Sequence, residues 1–123
     1  MNKRAAVAVL FALTLPLTAA LDAGQPLRMQ VSPSIARAPA DLVVRISLDA
    51  DAGDRFLRVV AESADFYRSS EIPIDGDRAP ALNVFEFRNL PSGQYAVTGI
   101  LVGLNGPRAK VSRIATVQPT FGR

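Results

Sequence analysis

VFEFRNLPSGQYAVTGILVGL, residues Val84–Leu104, reads as a strand, a sharp corner and a second, longer strand. Phe85 and Phe87 alternate with Glu86 and Arg88, and that period of two places both rings on one face of a half-buried strand. Leu90-Pro91-Ser92-Gly93 ends it, since Pro91 has no N–H for a ladder and Gly93 accepts turn dihedrals. Tyr95, Val97 and Leu101 then resume the alternation.

Working outward, turn signals recur every 8–12 residues. Leu27, Met29 and Val31 form a short first strand that Pro33 ends, and Ser32 to Ala40 is expected to be an irregular connection. Leu42, Val44, Ile46 and Leu48 alternate in the next strand, and the polar cluster Asp49–Asp54 turns the chain. Phe56 to Glu62 returns with Leu57, Val59 and Ala61 in one phase. Phe66 to Ile74 reads as one or two edge segments, because Pro73 fits only an edge. After the central corner, Asn105-Gly106 marks a hairpin into a last strand, Arg108 to Val117. No stretch carries the 3.6-residue period of an amphipathic helix. The expected fold class is all-β: a single seven-stranded Greek-key sandwich over residues 27–118, with a lead-in at 21–26 and a tail at 119–123.

The N-terminus has a different character. Lys3-Arg4, the apolar run from Ala5 to Leu17, and the small residues Thr18-Ala19-Ala20 have the three-part layout of a secretory signal peptide. Cleavage after Ala20 would leave Leu21 as the new N-terminus, with Gly24 as the other candidate start. The alternative is an uncleaved anchor, for which the apolar run is shorter than the roughly 20 residues a span requires. The expected location is therefore secreted or periplasmic, with no stable membrane insertion after cleavage. Export also revises the charge. The chain has 14 Lys+Arg and 11 Asp+Glu, and without Lys3 and Arg4 the balance is 12 against 11. A nominal +3 becomes +1, which removes the electrostatic argument for a nucleic-acid partner. With no Cys, the domain must stand on its hydrophobic core.

Chemistry-bearing residues are sparse. The chain has no His, Cys or Trp, which excludes His-based triads, thiol nucleophiles and imidazole or thiolate metal sites. No Gly-rich phosphate loop joins a strand to a helix. No catalytic residue and no cofactor is expected. The spacing Asp49-x-Asp51-x-x-Asp54 could present carboxylates to Ca²⁺, or could be an ordinary Asp/Gly turn; it lacks a distal bidentate Glu, and Arg55 would repel a cation. Seven arginines lie on separate predicted strands and turns, where some could pair across strands with Glu62, Glu71 or Glu86.

The corner Leu90-Pro91-Ser92-Gly93-Gln94-Tyr95-Ala96-Val97 resembles the step into the sixth strand of fibronectin type III and related bacterial immunoglobulin-like domains. It also resembles the tyrosine corner of Greek-key sandwiches, which would make Leu90, Pro91, Gly93 and Tyr95 structural residues. The resemblance implies an exported, non-catalytic module acting through protein contacts or self-association. The sequence departs from it in having no Trp on the second strand and no Arg-Gly-Asp in the last hairpin, so integrin-type adhesion is not implied. Phe85 to Tyr95 is similar, too, to the closing half of carboxypeptidase-regulatory-like, transthyretin-like modules, which implies an accessory module associated with carbohydrate or an enzyme complex. The Gly-rich opening strand of those modules is missing.

One surface stands out. The strands Phe56–Glu62 and Gln94–Gly103 are apolar in both phases. If they are neighbours, Phe56, Val60, Ile100 and Val102 form an exposed apolar patch, unless a β-bulge at Gly99 or Gly103 switches the phase or a loop covers them.

Overall fold

Alternation is written into the buried pattern of most long strands of the computed structural model, which describes residues 26–120. The expected leader and the last three residues lie outside that range. The described residues form eight strands: β1 (Leu27–Ser32), β2 (Ile35–Arg37), β3 (Ala40–Leu48), β4 (Asp54–Glu62), β5 (Tyr67–Pro73), β6 (Leu82–Leu90), β7 (Gly93–Gly103) and β8 (Gly106–Gln118). One 3-10 turn, Gly76–Arg78, precedes β6.

The strands form a three-stranded sheet in the order β1-β3-β6 and a five-stranded sheet in the order β2-β8-β7-β4-β5. The two sheets make a β-sandwich. Leu42, Val44 and Ile46 of β3 face Leu57, Val59, Val97 and Leu101 of β4 and β7, all fully buried. Each such aliphatic side chain contributes about 1.5–3 kcal/mol when withdrawn from water, which is how a cysteine-free domain holds together. Gly99 lies where the sheets approach, and a Cβ there would sit 3.2 Å from Ile46 Cδ1.

One expectation changes. The described residues form eight strands rather than seven, because the segment between Ser32 and Ala40, expected to be irregular, contains β2, which pairs in parallel with the end of β8. Phe66 to Ile74, expected as one or two edge segments, forms the single strand β5 at a sheet edge.

Candidate functional site

The five-stranded sheet has an outer face, and its register can be followed across four strands. At the hairpin end, Pro107, Val102, Phe56 and Pro73 stand side by side on β8, β7, β4 and β5. The next rung is Lys110, Ile100, Arg58 and Glu71, where Arg58 Nη2 and Glu71 Oε2 form an ion pair at 2.7 Å. Then come Ser112, Thr98, Val60 and Ser69, with the Thr98 and Ser112 hydroxyls 3.0 Å apart. Ile114, Ala96, Glu62 and Tyr67 complete the face. Phe56 is 41% exposed, Ile114 56% and Tyr67 61%; Val60, Ile100 and Val102 are half-buried. The middle rungs dip into a shallow depression of about 300 Å³.

Phe56, Val60, Ile100 and Val102 thus lie on one face of adjacent strands, and Phe56 is directly opposite Val102. The ladder between β4 and β7 runs without a shift from Phe56–Val102 to Glu62–Ala96. A phase switch at Gly99 or Gly103 does not occur. Register shifts fall at Arg55 on β4 and Arg108 on β8, at the hairpin end. Each extra residue bends its strand and re-aims the neighbouring side chain.

Those bulges account for what becomes of the three aspartates. Asp54 turns inward and is fully buried, whereas Phe56, two residues on, faces out. Arg108 Nε donates to Asp54 Oδ1 at 2.8 Å and Arg108 Nη2 to Asp54 Oδ2 at 3.2 Å, while the Asp51 N–H donates to Oδ2 at 3.0 Å. The bond to Asp54 raises the Arg108 pKa above its ordinary value, against the opposing effect of burial. Asp49 pairs instead with Arg28 at 3.4 Å. Arg55 donates to the Ala52 and Asp54 carbonyls. Asp49, Asp51 and Asp54 therefore do not converge, and no group of three acidic side chains among the described residues is placed to hold a metal ion. Asp54 already has a cation, and it is Arg108.

At the other end of the sandwich, the Tyr95 hydroxyl donates to the Pro91 carbonyl at 2.7 Å. The ring is fully buried and meets Phe66 edge-on, with centroids 6.4 Å apart, and the Arg68 guanidinium lies 5.1 Å above Phe66. Leu90 is fully buried beneath the corner, and Gly93 passes so close to Ser63 that a Cβ would lie 3.1 Å from Ser63 Cβ. Phe66, Arg68 and Ser63 complete this cluster, and only tertiary proximity reveals them.

The fold defines an all-β, two-sheet sandwich without cysteine. No family model matches the chain, and no curated protein matches its sequence. Solved structures do share the fold. A family 76 glycoside hydrolase from a bovine Bacteroides thetaiotaomicron strain aligns with a TM-score of 0.54 at 16% identity. The match covers 76% of this chain and 20% of that one, so this chain spans about one fifth of its length. A superoxide reductase (neelaredoxin) from Ignicoccus hospitalis aligns with a TM-score of 0.56 at 14% identity, over 75% of this chain and 80% of that one. A neelaredoxin from Archaeoglobus fulgidus gives 0.51 at 10% identity, over 76% and 90%. At these identities the likeness is one of fold alone.

Proposed function

We propose that this protein is an exported, non-catalytic immunoglobulin-like module that works through protein contacts, in the cell envelope or outside it, made by the outer face of its five-stranded sheet. The observation that carries the reading is the unbroken β4–β7 register, which keeps Phe56, Val60, Ile100 and Val102 on that face, Phe56 exposed and the other three half-buried among the described residues. Contiguous apolar surface left partly open to solvent in this way supports an interaction site. Strand order supports the immunoglobulin-like part. β1, β3 and β6 correspond to the A, B and E strands of a constant-type sandwich, and β4, β7 and β8 to C, F and G. The basic and apolar start of the sequence supports export. The absence of His and Cys supports a role without catalysis. A transthyretin-like carbohydrate module fits less well, because Phe56 and Tyr67 stand at opposite ends of the face and form no flat aromatic platform.

The test places Lys at Val60 and at Ile100 separately. Both variants are expected to keep near-native thermal midpoints, because a lysine can lift its ammonium into water there. Both are expected to lose chemical cross-linking of this face to whatever protein covers it. A variant that unfolds identifies its position as core, and unchanged cross-linking in both removes the face from consideration.

A further inference from the structure

We propose that the occupant of this face is a second copy of the chain, packed face to face about a two-fold axis through Thr98. The proposal rests on the contact-face reading above and names its partner. Besides Arg58, two charged side chains line the same depression as Thr98: Lys110 on β8 and Glu62 on β4. Among the described residues neither has a hydrogen-bond or ion-pair partner, in contrast to Arg58 and Glu71 beside them. Their positions in the register are symmetric. Lys110 is one strand to one side of Thr98 and two residues towards the hairpin end, counted on β7 through its partner Ile100. Glu62 is one strand to the other side and two residues the opposite way, counted through its partner Ala96. Strand spacing and rise put the two about 17 Å apart, too far to pair within one molecule, with Thr98 at the midpoint.

A two-fold axis in the plane of the interface, through Thr98 and perpendicular to the Lys110–Glu62 line, exchanges these two positions. Lys110 then meets the partner's Glu62, and Glu62 meets the partner's Lys110. The same rotation sets Ile100 over the partner's Val60. This is the self-complementarity an isologous contact requires. Any closed two-fold dimer makes each such contact twice, so the face needs only one cation and one anion in symmetric places. The rotation crosses the strands of the two copies at about 70°, so a four-stranded face about 19 Å wide overlaps its partner over about 400 Å² per copy. Two copies therefore bury about 800 Å², the size of a weak contact, which fits a dimer that dissociates on dilution.

The experiment uses the protein expressed from Met1 and purified, examined by sedimentation over a range of concentrations. A concentration-dependent dimer that weakens with added salt is expected. Glu62→Lys sets two ammonium groups against each other twice over, and Lys110→Glu does the same with carboxylates. Each is expected to raise the dimer Kd by at least about tenfold. Glu62→Lys combined with Lys110→Glu restores the pair in reverse and should recover wild-type association. Near-native thermal midpoints for each single variant show that it is folded. A dimer insensitive to both reversals, or a double variant as weak as the singles, overturns the proposed axis. A chain that stays monomeric at every concentration, while Ile100→Lys still abolishes cross-linking to a different protein, overturns the second-copy assignment and leaves the contact face standing. If the chain is monomeric and neither Val60→Lys nor Ile100→Lys alters cross-linking, both readings fall.

Discussion

Tyr95 concentrates most of what a single residue contributes to this fold. Its ring fills the core beside Phe66, and its hydroxyl ties β7 back to the Pro91 carbonyl across the corner. Tyr95→Phe keeps the ring and removes one hydrogen bond, leaving a half-buried carbonyl without that donor. The expected cost is about 0.5–1.5 kcal/mol, read as a lower denaturation midpoint. A midpoint equal to wild type would show that the bond contributes nothing. The hydroxyl also carries a pH dependence. Burial disfavours the phenolate and raises the pKa above the ordinary 10.0, while the Ser63 hydroxyl and the Arg68 charge pull more weakly the other way. In the unfolded chain the group ionises at its ordinary value. The folded state therefore holds its proton more tightly, and this part of the stability is complete below pH 10.0 and lost as pH rises through the folded value. Wild-type stability is expected to fall above pH 10.0 more steeply than that of Tyr95→Phe. Parallel alkaline curves for the two proteins would remove Tyr95 as the cause.

Among the elements, the two bulged strand ends hold the hairpin end of the sandwich closed. The extra residues at Arg55 and Arg108 bring Asp54 and Arg108 together, 54 positions apart in sequence. The pair is asymmetric: the Asp54 side chain is wholly buried and that of Arg108 is 31% exposed. Arg108→Met strands a buried carboxylate and is expected to cost about 2–3 kcal/mol, less than for a fully buried pair because water reaches part of Arg108. Asp54→Asn still accepts the Asp51 N–H, and it frees a guanidinium that can turn to solvent, so it should cost less. Denaturation of both variants checks the order, and a larger loss for Asp54→Asn would reverse the argument. None of this was legible beforehand. Strand phase was, because alternation is local: Leu42 to Leu48 and Phe85 to Tyr95 each declare their inner face within a few residues. β2 was hidden because three residues between Pro33 and Pro39 are too few for a period, and its partner Thr116–Gln118 is distant in sequence. Spacing alone left the aspartates open between a cation site and an ordinary turn. The bulge at Arg55 turns Asp54 inward towards Arg108, and no local signal announces a bulge at an arginine.

At the scale of the whole molecule, two routes to association exist, and they leave different traces on the backbone. One is the apolar face of the five-stranded sheet. The other is the open edges. On β6 the Ala81 carbonyl accepts from the Leu48 N–H, so ladder alternation turns the backbone of Asn83 and Phe85 towards β3. The N–H groups of Leu82, Val84 and Glu86 then point away from the sheet, ready to template another strand. Further along, Arg68 donates to the Arg88 carbonyl and covers part of that edge. On β5 the Phe66 carbonyl accepts from Ser63, which by the same alternation leaves the N–H groups of Ser69 and Glu71 outward, and Pro73 has none to offer. Face-to-face pairing buries side chains and adds no backbone bond, whereas edge pairing would satisfy the outward N–H groups of β6. Hydrogen exchange measured on dilute and concentrated protein separates the two. The β7 amides, flanked by β4 and β8, are expected to exchange only through global unfolding. The amides of Val84, Glu86, Ser69 and Glu71 should exchange quickly at both concentrations, even where sedimentation reports the dimer. Concentration-dependent protection confined to Val84 and Glu86 would mean that the copies join through β6, and the two-fold contact centred on Thr98 would be wrong.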